Sequence, residues 1–134
     1  MNETKSQLQS TNERIELWPL LFVQDIERSI SFYCDRLGFQ LAHKAESDGK
    51  VFWCRVSRQG CSIMLQQAEA EDGPVEQGGR GIIFYFVCHD VVRIYQELTE
   101  RGLSLEPPRT AYYGMRQVHI PEPDGYSLCF ESEA

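Results

Sequence analysis

Residues 15–39 read IELWPLLFVQDIERSISFYCDRLGF, and the pattern changes period once. Up to Val23 the run is largely apolar, as in a strand buried in a sheet, but Pro19 interrupts it. Proline cannot donate to a ladder, so this strand belongs at a sheet edge or carries a bulge. Asp25 then offers a side-chain acceptor to the free N–H groups of a helix start. Ile26, Ile30, Tyr33 and Leu37 follow at helical spacing and form one apolar stripe. Gly38 ends the helix, because the closing residue is left-handed and glycine adopts that conformation without steric strain.

Working outward, strands are expected at 39–45, 51–57 and 61–67, with Ser47-Asp48-Gly49 and Arg58-Gln59-Gly60 as the turns between them. The stretch 68–81, AEAEDGPVEQGGRG, is rich in glycine and acid, has no periodicity and reads as a linker. The pattern then restarts. An apolar strand at 82–88 leads to Asp90 and a helix with the stripe Val91, Ile94, Tyr95 and Leu98, closed by Gly102. Strands at 103–105, 115–120 and 126–131 follow, the last after the turn Glu122-Pro123-Asp124-Gly125. The halves align by their punctuation: Asp25 to Gly38 spans thirteen positions and Asp90 to Gly102 twelve. This is a strand-helix-strand repeat of roughly 55–65 residues a copy, longer than a solenoid unit.

With 134 residues and 42% hydrophobic side chains, the chain suits one ordinary domain with a real core. A net charge of −7 argues against nucleic acid, which demands clustered Lys and Arg. The same acidity is usually solvated surface, but it would favour a cationic guest if part of it lined a pocket. The polar arm 1–14 lacks the apolar core of a secretory signal, and no run approaches a membrane span. Cys34, Cys54, Cys61, Cys88 and Cys129 are odd in number and never spaced C-x-x-C. Reduced thiols in the cytoplasm are therefore expected, with no disulfide framework.

Three segments carry a resemblance: 21–25 (LFVQD) through Phe32-Tyr33 to Leu37-Gly38-Phe39, then 62–65 (SIML), then 122–126 (EPDGY). Together they resemble the vicinal oxygen chelate superfamily of glyoxalases, bleomycin-resistance proteins and extradiol dioxygenases. The V-x-D, FY and LGF elements fit its pattern, while Glu122 stands where its last turn has Asp. The resemblance covers 15–132 as a single domain and implies an α+β fold. Two tandem βαβββ modules, 15–67 and 82–132, would form an open eight-stranded cup with helices outside, usually in a homodimer. Metal-using members would place their ligands at Trp18, Met64, Ile83 and Cys129, seven residues before Asp25 and four after Gly125 at the two ends. A thioether and one thiol do not make a hard-cation site, so no metal and no other cofactor is expected. His43 and His89 stand alone and read as surface histidines.

Strand alternation, argued independently of the family, sorts side chains between the helices and the cup. Pro19, Leu21, Val23, Phe52, Cys54, Val56, Ile63, Leu65, Ile82, Phe84, Phe86, Val118, Ile120, Leu128 and Phe130 are assigned to the helices. The cup wall is then Trp18, Trp53, Arg55, Met64, Gln66, Tyr85, Gln117, His119, Cys129 and Glu131, all candidate ligand-binding residues. Tyr112, beside Tyr113, would form an aromatic lip or merely pack at a strand edge. Such a wall is either an organic-ligand pocket or a cup filled by its own side chains. Two functions follow: a metal-free protein sequestering a small organic molecule, cationic or aromatic, or a glyoxalase-type isomerase or lyase. An enzyme would need acid-base groups, for which His119 and Glu131 are the candidates, although an ordinary ion pair is the alternative reading.

Overall fold

The computed structural model describes residues 12–75 and 79–134. The arm up to residue 11 and linker positions 76–78 lie outside the described residues. Among the described residues eight strands form two four-stranded sheets. In the first, β1 (Leu20–Val23), β4 (Cys61–Gln67), β3 (Lys50–Arg58) and β2 (Gln40–Ser47) lie in that order. In the second, β5 (Ile83–Val87), β8 (Ser127–Glu133), β7 (Met115–Pro121) and β6 (Arg109–Thr110) repeat the arrangement. Each sheet has one parallel pair, β1 with β4 and β5 with β8, and antiparallel pairs elsewhere. Among the described residues no barrel closes, and the α+β architecture of two modules is present.

β1 is an edge strand, and because it begins only after Pro19 it is shorter than expected. Residues 12–19 form no regular structure, and Ile15 and Leu17 are almost fully exposed. Proline still joins the sheet through its carbonyl, which accepts from the Met64 N–H at 2.8 Å. The first helix, α1 (Ile26–Ser31), begins with the Asp25 carboxylate accepting from Arg28 N at 3.2 Å. It then widens into a π turn, Phe32–Arg36, where Leu37 N reaches back to Phe32 O at 3.2 Å. That extra residue buries Phe32 and Tyr33 together, which a regular helical stripe does not foresee. The second helix, α2 (Val91–Glu100), is capped by Asp90 in the same manner. The strand expected at 103–105 does not form. Leu103 and Leu105 pack partly into the core from irregular chain, and the short β6 pairs beyond Pro107-Pro108 instead.

The helix-facing sides of both sheets share a single core. Leu21, Val23, Val56 and Leu65 from the first module join Phe86, Val118, Leu128 and Phe130 from the second, with Leu37 and Leu98 between. An aromatic run crosses the seam: Phe39 meets Phe86 edge-on at 6.0 Å, and Phe86 stacks on Phe130 at 4.8 Å. Polar contacts lock the same seam. Arg58 forks onto Glu97 at 2.7 and 3.0 Å, and the Tyr126 hydroxyl donates to Phe22 O at 2.6 Å. With one face of each sheet committed to the core, the opposite face stays bare. Two apolar residues assigned to the helix-packing side are corrected: Phe52 is 42% and Ile82 52% exposed. Phe52 is the residue of β3 left unpaired at the register shift between Ala45 and Glu46, and Ile82 precedes the first paired residue of β5.

Candidate functional site

The bare face of the first module is built by register. Leu20 and Arg55 both pair with Met64, and Phe22 and Trp53 both pair with Gln66, so these side chains line one face in two rows. Trp18 joins them from the chain leading into β1. The Arg55 guanidinium carbon lies 4.2 Å from the Trp18 ring centroid, a cation–π stack. Arg55 Nη1 donates to Ser62 Oγ at 3.1 Å, and Trp18 Nε1 donates to Glu16 at 3.0 Å. Arg55 Nε is buried and has no partner. Trp18 itself is 39% exposed, so its indole lines an open surface and does not plug a cavity.

The bare face of the second module centres on Glu131. Gln117 opposes it across the ladder and donates to Glu131 Oε1 at 2.9 Å. The Tyr113 hydroxyl donates to the same oxygen at 3.5 Å and also accepts from Gln117. Partial desolvation, then the Glu131 charge and Tyr85, raise the Tyr113 phenol above its ordinary value. Tyr85 and His119 flank Cys129 on either side in register. His119 thus faces Cys129, while Glu131 faces Gln117, so the two acid-base candidates are not cross-strand partners. Tyr112 points fully into solvent, with its ring edge-on to Tyr113 at 5.2 Å. A cavity of about 470 Å³ opens beside this face, walled by Gln117, His119, Ser104, Arg109 and Thr110.

Two residues of this wall escape a strand-by-strand reading. Arg109 pairs with Gln117 in register, on the same face, because the strand forms there and not at 103–105. Tyr113, and not Tyr112, reaches the carboxylate. Burial of the last turn is the other surprise. Asp124 accepts from Gln24 N at 3.1 Å, Arg28 at 3.2 Å and Ser29 at 3.4 Å, and Glu122 accepts from Tyr33 at 3.4 Å and from Asp124 N. These contacts join the modules and line no bare face. An acidic residue three positions before a turn glycine is the only sequence signal for them.

The family's metal positions fail a test of donor chemistry. Trp18 has only an N–H, already given to Glu16, and Ile83 has no donor atom. Met64 offers a thioether, too soft for a hard divalent ion. Burial, then the Glu131 charge, push the Cys129 thiol up to about 11, so it holds its proton at neutral pH. Among the described residues no three His, Cys, Asp or Glu side chains gather as a metal site. His43 and His89 are exposed and lie in separate modules.

Residues 15–130 match the family model described as the glyoxalase/bleomycin resistance protein/dioxygenase superfamily. Bleomycin resistance proteins of Geobacillus stearothermophilus and Staphylococcus aureus are 30% identical over 122 residues, covering 84% of this chain and 92% of theirs. Among solved structures, TnmS3, an antibiotic binding protein from Streptomyces sp. CB03234, superposes with a TM-score of 0.70 at 21% identity, over 92% of this chain and 99% of its own. The bleomycin resistance determinant encoded on transposon Tn5 gives 0.67 at 17% identity, over 90% and 98%. No helix among the described residues is long and apolar enough to cross a membrane.

Proposed function

Because the chain belongs to the glyoxalase/bleomycin resistance protein/dioxygenase superfamily, we propose that it is a metal-free binding protein of the bleomycin-resistance kind, holding a planar organic molecule without transforming it. The observation that carries this reading is the pair of bare sheet faces. Each combines exposed aromatic side chains with charged groups, Arg55 by Trp18 on the first face, and Glu131 by Tyr85 and Tyr113, with Arg109 on the same side, on the second. A few polar groups on an aromatic wall are how organic-ligand sites achieve affinity and orientation. The Glu131 cradle and the net charge of −7 suit a cationic group on the guest. A second copy would complete the cup, and the assembly would work in the cytoplasm.

The relatives named for bleomycin resistance make that antibiotic the first ligand to try. Metal-free bleomycin and a panel of planar aromatic antibiotics should bind with micromolar or tighter affinity by calorimetry. The bound compound should be recovered unchanged by mass spectrometry after long incubation. Treatment with EDTA should leave the affinity unaltered. Stoichiometric metal in the purified protein, or conversion of the compound, would move the chain to the enzymatic side of its superfamily.

A further inference from the structure

The first module's face differs from the second in one respect that bears on the guest. Its strand residues are Leu20 and Phe22 of β1, Ser62, Met64 and Gln66 of β4, Trp53, Arg55 and Ser57 of β3, and Gln40, His43 and Ala45 of β2. No carboxylate is among them, and Arg55 is the one permanent charge. Glu16, the nearest acid in sequence to Trp18, is engaged by Trp18 Nε1 and by Arg14 at 3.5 Å. The guanidinium is held flat by the Trp18 ring and from one end by Ser62. Its remaining edge, Nε with Nη2, is the fork that takes a carboxylate through two parallel hydrogen bonds. Nε on that edge is buried and unpartnered, a condition that buried polar groups rarely keep once their site is complete.

We infer that Arg55 is the docking point for an anionic oxygen on the guest, so that the ligand class is a planar aromatic bearing a carboxylate or an equivalent acidic group. This rests on the cup reading above. The ring stacks beside Trp18 and Trp53, and the acid meets Nη2 first and Nε once the Trp18 side chain shifts to uncover it. A guest with a cationic group as well would span from Arg55 to the Glu131 cradle, which sorts its two ends by charge.

The probes are 2-naphthoate and 2-naphthamide, alike in ring and nearly alike in size, titrated by calorimetry into the full chain and its Arg55→Gln and Arg55→Lys variants. Wild type should prefer naphthoate by about tenfold or more, the scale of one charge-assisted bidentate pair. Arg55→Gln should erase the preference, and a thermal unfolding midpoint close to that of wild type shows that the variant is folded. Arg55→Lys should recover only part of it, because ammonium keeps the charge but not the fork. Equal binding of both probes by wild type overturns the inference and leaves the cup reading standing. So does a preference that survives Arg55→Gln. If Arg55 instead pairs with Glu131 between copies, wild type shows no preference and Arg55→Gln weakens the dimer, which also overturns it. Failure of both probes to bind wild type overturns the cup reading together with this inference.

Discussion

Glu122 carries a strongly perturbed carboxyl. Burial, with the Asp124 charge beside it, raises it from the ordinary 4.5 to about 7 despite hydrogen bonds from Asp124 N and Tyr33 that favour its charged form. A carboxyl raised on folding binds its proton more tightly in the native state than in the unfolded chain. Its effect on stability is therefore favourable in acid and is lost as pH rises from 4.5 through about 7. The shift corresponds to about 3 kcal/mol at full ionisation. Glu122→Gln removes this titration, so its stability relative to wild type should rise by a substantial part of that amount between pH 4.5 and pH 8. Urea unfolding at several pH values measures it; a difference that does not vary with pH would contradict the assignment. Trp18 provides the complementary case, an aromatic residue whose value lies in binding. It is more than a third exposed and stacks on Arg55, so Trp18→Ala should cost only about 1 kcal/mol of stability. Affinity for a bound aromatic guest should fall by about tenfold or more. A loss of ~3–5 kcal/mol in stability would instead describe a fully buried indole filling the cup.

At the scale of elements, the sequence is most informative where local chemistry and tertiary demand agree. Asp25 and Asp90 cap helices because each precedes an apolar stripe, and both accept from N–H groups in the first turn. β1 starts just after Pro19 at a sheet edge, and alternation sorts Leu21, Val23, Ile63, Leu65, Val118, Ile120, Leu128 and Phe130 correctly into the core. Where local signals are weak, the reading slips. Leu103 and Leu105 look like a strand because they alternate, but they pack partly buried against the core without a ladder partner. The misplacement hides Arg109, whose side of the sheet follows from pairing with Gln117. The π turn leaves no mark in the spacing, since Phe32 and Tyr33 are adjacent and only three-dimensional packing buries both. Gly38 tests the seam that this turn creates. Its φ is +74°, and an added Cβ would lie 2.9–3.1 Å from Arg58, Glu97 and Arg101. Gly38→Ala should therefore destabilise by more than the ~1 kcal/mol of left-handed strain alone, because the Arg58–Glu97 fork must also shift. Thermal denaturation beside Gly49→Ala, which has φ +74° but open space around it, separates strain from crowding.

For the whole molecule, one shared core has a consequence that neither module shows alone. Both sheets direct their apolar helix-facing sides into it, so each bare face must meet either solvent or another chain. The faces are too apolar for solvent alone: Phe22 is 37%, Ile83 50% and Val87 73% exposed. A twofold axis that sets the first face of one copy against the second face of the other covers both at once and makes two equivalent cups. It also sets the Arg55-bearing face opposite the Glu131-bearing one, with the guest's space between them. The proposed homodimer should appear in light scattering at twice the 15.5 kDa chain mass. Val87 lies at the centre of the prediction because it is bare, apolar and opposite Glu131 in register. Val87→Lys should keep the fold, since the ammonium can reach Glu131 and solvent within the monomer. In the dimer the same lysine would have to be desolvated, so dissociation should increase by about tenfold or more. Sedimentation over a dilution series measures this, and guest affinity should weaken in the same concentration range as the cups come apart. A concentration-independent monomer, or guest binding indifferent to the dissociation, would place the binding site on a single face and leave the other without a role in it.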